Sequence, residues 1–404
     1  MKRPQIAAVV TEYRRYAHAQ HILDRFLWGY GWNNKHHLPP MDLVAVYADQ
    51  TPQGDLSRSR SRLFPHMKIY PTVAEALSRG GEKLDVDGVL LIGEHGDYPF
   101  NEKGQHLYPR YELFQQIVDV FRDSGRTAPV FNDKHLSWNW DWAKEMYDTS
   151  REMGFGFMAG SSLPVVPRLP SVDFPWGARA KEAMCIAVGG IDGYDIHALE
   201  MIQCLVERRR GGETGVVNIH AIQGEAVWKA LRAGSWEAGG WDPELFNACL
   251  CRSHALTPVR PGFNHTLSTV DEIPQLFEQV KAPNQQPVAY RYEHADGLRV
   301  TMLLLEGIVH DFTFAARLDG RDAPFSLKTY LPPREVCNFF SPLVNHVETL
   351  FLTGKSPYPV ERTLLTTGVT AAGVESIFRG QERLNTPHLS IRYMPTEEST
   401  FWRS

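Results

Sequence analysis

The 404-residue chain carries 42 Lys and Arg against 47 Asp and Glu, and its formal net charge of -5 supplies no basic face for neutralising a run of phosphates. Nucleic acid is thereby excluded as a partner class. Hydrophobic residues at 43% and charged residues at 22% exclude wholesale disorder and fibrous classes, and the length predicts two domains.

Residues 5–10 are strand-like almost from the first residue, which leaves no room for a signal peptide, and no apolar run reaches membrane-spanning length. A cytoplasmic protein without a membrane partner is expected. The cysteines Cys185, Cys204, Cys249, Cys251 and Cys337 form an odd set with no Cys-x-x-Cys pair, which predicts reduced thiols.

In chain order, the apolar, β-branched run 6–10 predicts a strand and 18–30 a helix, because Ile22, Leu23, Phe26, Leu27 and Tyr30 recur at helical spacing. A polar loop over 31–40 leads to a strand at 43–47. Further strands are predicted at 68–70, 88–92 and 129–131, with helices at 72–79 and 111–123 between them. This alternation implies a parallel sheet with helices on both faces, a Rossmann-like α/β domain. Residues 160–170 (GSSLPVVPRLP) contain three prolines, which exclude a regular helix and suit a crossover between domains. Beyond it, strands at 182–188, 215–221, 288–292, 299–305 and 309–315, with helices at 198–207 and 273–281, read as an α+β domain on a large, open, mostly antiparallel sheet. The expected organisation is 1–163, 164–350, and a returning helix and tail over 351–404.

A dinucleotide-binding domain needs a Gly-rich turn after its first strand, because the backbone must approach the pyrophosphate closely. Here the turn 11–18 (TEYRRYAH) has no glycine, Tyr13 and Tyr16 are expected to fill the diphosphate space, and Glu12 has the wrong sign. Arg14 and Arg15 are the residues that could grip a diphosphate, and Asp49, ending the second strand, stands where a ribose-binding carboxylate falls.

Residues just past the carboxyl ends of parallel strands line the ligand crevice. Glu94, His95 and Asp97 follow one such strand, and Asp133, Lys134 and His135 follow its neighbour. The first three are candidates for substrate binding or, as His and carboxylate donors, for a divalent metal, although their spacing names no metal. The same residue types equally serve to hold loop amides. Lys134, between a carboxylate and an imidazole, suits general acid/base work; a structural ion pair is the plainer reading. Period two puts His220 on the polar face of its strand, and Trp138, Trp140 and Trp142 read as packing or a stacking surface.

With these residues in view, the chain resembles the Gfo/Idh/MocA group of sugar and cyclitol oxidoreductases over nearly its whole length. The segment 132–135 (NDKH) is similar to the group's Glu-Lys-Pro segment, 189–200 (GGIDGYDIHALE) to its His-bearing helix start, and 354–362 (GKSPYPVER) with 386–389 (TPHL) to its returning helix and tail. The resemblance implies Lys134 and His197 as catalytic residues. The group's Asp falls at Gly193 here, so Asp192 and Asp195 become the displaced candidates. Arg168, His135 and His220 are further candidates for binding a small-molecule substrate, and the resemblance also implies a homo-oligomer formed through the second-domain sheet. Three functions stay open: acid/base chemistry such as elimination or hydrolysis on a sugar- or cyclitol-like compound, aided by a metal or not; an NAD(P)-dependent oxidoreductase with an atypical phosphate turn; and a non-catalytic ligand-binding protein.

Overall fold

A computed structural model describes residues 3–253, 272–331 and 338–403. Cys337 lies outside the described residues; Cys185, Cys204, Cys249 and Cys251 are free. The chain divides into two compact units, 1–166 with 332–367, and 167–331 with 368–403.

In the first unit, strands β1 (Gln5–Glu12), β2 (Tyr30–Trp32), β3 (Lys35–His37), β4 (Asp42–Gln50), β5 (Lys68–Ile69), β6 (Gly88–Ile92), β7 (Val130–Asp133) and β8 (Phe157–Gly160) alternate with helices α1 (His18–Trp28), α2 (Ser57–Leu63), α3 (Val73–Ser78), α4 (Arg110–Ser124) and α5 (Trp140–Met153). Six strands form one sheet in the order β5-β4-β1-β6-β7-β8, with every pairing parallel. The order reverses beside β1, which makes the carboxyl ends of β1 and β6 the topological switch point, the place where open parallel sheets hold ligands. β2 and β3 form a separate hairpin where a loop was expected; Asn33 takes the left-handed conformation its tight turn requires.

The second unit contains β9 (Arg168–Leu169), β10 (Ala180–Ala187), α6 (Asp195–Val206), β11 (Val216–Gln223), α7 (Glu225–Ala233), α8 (Pro243–Arg252), α9 (Glu272–Val280), β12 (Val288–His294), β13 (Arg299–Leu304), β14 (Phe312–Leu318) and β15 (Phe325–Thr329). The chain then supplies α10 (Phe340–Thr353) to the first unit, the helix α11 (Glu361–Phe378), and β16 (Arg383–Asn385). The eight-stranded sheet runs β16-β11-β12-β13-β10-β14-β15-β9 and is antiparallel except between β10 and β13.

Residues 332–367 cluster with the first unit, whereas the sequence placed them partly in the second domain and partly in a tail. The reason is apolar: Leu343, Val344, Val347 and Leu350 of α10 share one buried core with Ile22, Leu23 and Phe26 of α1. The second sheet is large and mostly antiparallel, as expected, and helices pack on its face. Met184, Ile186, Ala289 and Leu303 on its central strands lie in one core with Trp228, Phe246 and Phe277 of α7, α8 and α9. Helices α7, α8 and α9 thus cover one face of this sheet. On the facing side, Gly373 lets α11 approach so closely that a Cβ there would lie 2.3 Å from the Tyr290 ring. Among the described residues no helix is long and apolar enough to cross a membrane.

Candidate active site

The carboxyl ends of β6 and β7 carry a compact buried charge cluster. Glu94, two residues past β6, receives the Lys134 ammonium on Oε1 at 2.9 Å and the fully buried Arg110 guanidinium on Oε2. Arg110 opens α4, and its stem passes so close to the chain that a Cβ at Gly93 would lie 2.6 Å from its Cγ. A second Arg110 nitrogen lies 3.2 Å from His135 Nε2. An arginine only donates, so His135 accepts there, and its proton sits on Nδ1, which is buried without a hydrogen-bond partner. Thr11 donates to the Glu94 carbonyl at 2.9 Å and fixes this loop to β1.

Burial pushes the Glu94 carboxyl up, but the charges of Lys134 and Arg110 outweigh it and hold the group well below the usual carboxylate range. Burial, with Arg110 beside it, pushes His135 down, and burial together with His18 brings His95 to about 4. Both imidazoles are therefore neutral near pH 7. The backbone at this edge is also strained: Tyr16, His95 and Lys134, one after each of β1, β6 and β7, have φ of 70°, 72° and 62°. A non-glycine residue in that conformation costs about 1–2 kcal/mol, and such strain concentrates at working sites.

One participant escaped the sequence reading. His18, the first residue of α1, places Nδ1 2.6 Å from Asp133 Oδ2. The two are 115 residues apart, and the only signal was the position of His18 at a strand-to-helix turn. Arg110 was missed for the same reason.

The expected metal set does not assemble. Glu94 is committed to two cations, while Asp97 is exposed and its backbone is bound by Gln50. Among the described residues no three His, Cys, Asp or Glu side chains are grouped to hold a metal ion.

The residues expected to hold a dinucleotide are likewise engaged within the protein. Asp49 accepts from Tyr47 at 2.8 Å and from Tyr98 at 2.7 Å, so that burial and this carboxylate push Tyr47 up to about 12 and Tyr98 higher still. The Gln50 side chain meets both the amide and the carbonyl of Asp97, at 2.9 and 3.0 Å. Because β4 and β6 flank β1, these bonds run across the carboxyl end of β1, where a diphosphate crosses a dinucleotide-binding sheet. Arg14 pairs with the buried Glu12 at 2.5 Å, and Arg15 lies over the Tyr16 ring at 4.8 Å. Tyr13 does not fill the diphosphate space: it is a core residue whose hydroxyl donates to Asp24 at 2.6 Å, and Asp24 in turn pairs with Arg60. In this arrangement the crevice does not fit a dinucleotide.

The remaining candidates belong to the second unit. Asp195 is fully buried in α6 and accepts from Tyr290 at 3.1 Å; His197 lies edge-on to Tyr194 and Phe312; Asp192 precedes the helix with a φ of 65°. Arg168 is buried against Asp173 at 2.5 Å and stacks over Phe401. His220 Nε2 meets the Gln381 carbonyl at 3.1 Å. In the first unit, Trp142 packs between Tyr111 and Trp138.

No family model and no curated protein matches the sequence. Solved structures match it nearly end to end. They include a myo-inositol dehydrogenase from Lactobacillus casei in complex with NAD(H) and myo-inositol, 12% identical over 95% of this chain and 97% of that one, TM-score 0.55. A probable dehydrogenase from Thermotoga maritima is 11% identical, over 95% and 99%, with TM-score 0.55. An oxidoreductase from Agrobacterium radiobacter in complex with NAD+, L-tartaric acid and magnesium is 10% identical, over 95% and 98%, also at 0.55. The chain has the fold of these solved dehydrogenases and oxidoreductases, in line with the fold the motif resemblance implied.

Proposed function

We propose that the protein is an enzyme acting on a sugar- or cyclitol-like compound, polyhydroxylated or keto-bearing, by acid/base chemistry at the carboxyl ends of β6 and β7. The observation that carries this reading is the Glu94–Lys134–Arg110 cluster, a set of buried charges next to the switch point and beside strained backbone. Lys134 is the acid of the cluster. Its ammonium, held by Glu94, is a donor for a substrate oxygen on which negative charge develops, and Arg110 keeps Glu94 ionised while Lys134 turns toward substrate. The dehydrogenase fold supports the substrate class by analogy. His197, Asp195 and Asp192 remain candidate catalytic residues in the second unit.

A second reading, an NAD(P)-dependent oxidoreductase, draws on the neighbours solved with NAD(H) or NAD+. It requires the bonds between Asp49, Gln50, Asp97 and Tyr98 to open. Mass spectrometry of small molecules released from the protein as purified, with metal analysis alongside, separates the two. The acid/base reading expects no nicotinamide nucleotide and no stoichiometric metal, and a stoichiometric nucleotide would overturn it.

A further inference from the structure

Beside the Lys134 cluster lies a pair of side chains that the proposed chemistry has not yet used. Asp133 ends β7, its side chain is 2% exposed, and its Oδ2 lies 2.6 Å from Nδ1 of His18. The His18 ring is also bounded edge-on by His95, at 5.2 Å between ring centroids, and by Phe340 at 5.0 Å. Asp133 and these two rings hold the imidazole in one orientation. A carboxylate can only accept, so Nδ1 carries the proton of the neutral ring and Nε2 bears the lone pair. His18 is 15% exposed, and among the described residues nothing is bonded to Nε2. A carboxylate that fixes the tautomer and steadies the imidazolium formed on the other nitrogen is the arrangement of a general base.

We propose that His18 is a catalytic base oriented by Asp133, and that it removes a proton from the carbon next to the carbonyl of a polyhydroxylated ketone. This rests on the acid/base reading and deepens it. In the step, the substrate C–H bond breaks and an N–H bond forms at Nε2. The electron pair moves into the carbonyl to give an enolate, whose charge is offset by the Lys134 ammonium. Return of the proton to carbon gives an isomer or epimer. Its delivery to a hydroxyl on the adjacent carbon expels water and gives an unsaturated ketone. Neither course consumes an oxidant or reductant. Asp133, which touches no substrate, is a positioning residue. The base stands at the start of α1, where a dinucleotide-binding sheet places its diphosphate, which gives the closed crevice a chemical sense.

Two measurements on the intact protein test this. In the first, diethyl pyrocarbonate modification is followed by peptide mass spectrometry, with the exposed His36 as internal standard. His18, though mostly buried, is expected to react at least as fast as His36, and Asp133→Asn to slow His18 alone by about tenfold. Equal rates at His18 in both proteins overturn the orienting role. In the second, exchange of the carbon-bound proton next to the carbonyl is followed by NMR in D2O with D-fructose and 2-keto-myo-inositol as probes. His18→Ala is expected to lose about 100-fold or more of the exchange rate, partly restored by added imidazole. Retention of exchange in His18→Ala with its loss in Lys134→Met overturns the dyad and leaves the acid/base reading standing. Retention in both variants overturns both, and absence of exchange in the unmodified protein overturns the carbon-acid assignment.

Discussion

The two halves of one sheet edge are built on opposite principles. Past β6 and β7, polar partners are held largely out of water: the Glu94 carboxylate with the cations Lys134 and Arg110, and the Asp133 carboxylate with the His18 imidazole. Past β4, the bonds from Asp49 and Gln50 to Tyr98 and Asp97 are exposed. Desolvated pairs are expensive to disrupt and carry reactivity, whereas exposed ones are individually weak and close space. One half of this edge thus holds a buried polar centre, and the other is spanned by exposed bonds that contribute little stability.

The contrast can be broken at several points. Glu94→Ala strands two buried cations, and it is expected to lower stability by about 3–5 kcal/mol, read as a shift in the urea midpoint at constant slope. Gly93→Ala inserts a Cβ 2.6 Å from the Arg110 stem and should lower stability by about 1–3 kcal/mol, with a matching fall in thermal midpoint.

The acid side of the stability profile sharpens the comparison. His95 is held at about 4 against an ordinary 6.5, so the unfolded chain binds the extra proton between those values and stability falls as pH drops from 6.5 to 4, by at most about 1.4 kcal/mol per unit for this one proton. Glu94, depressed in the fold, adds loss below its ordinary value of 4.5. Urea titrations across pH 7 to 4 should show a shallower slope between 6.5 and 4.5 in His95→Gln. An unchanged slope would remove His95 from the account. On the exposed half, Asp49→Asn and Tyr98→Phe are each expected to change stability by less than about 1 kcal/mol in the same assay.

The alternating strands and helices of the first unit were legible because continuous apolar runs such as 6–10 and 88–92 belong to strands buried on both faces, and the spacing of Ile22, Leu23 and Phe26 is helical. So was the gathering of Glu94, Lys134 and His135, which follows from strand order alone. What stayed hidden depends on contacts between distant residues. Tyr13 reads as an obstruction until Asp24, itself paired with Arg60, gives its hydroxyl a partner. Arg168 gives no sign in the sequence of the Asp173 carboxylate that lies against it. The cover over the second sheet comes from a long segment between β11 and β12 whose helices are amphipathic but carry no sign of which surface they bury. His18 acquires a role only when folding brings Asp133 to it.

The claim that this edge retains an acid/base centre behind a closed dinucleotide crevice is tested most directly by calorimetric titration of the purified protein with NAD, NADH, NADP and NADPH. The account predicts no binding at micromolar affinity by any of the four; micromolar binding by one of them would contradict it.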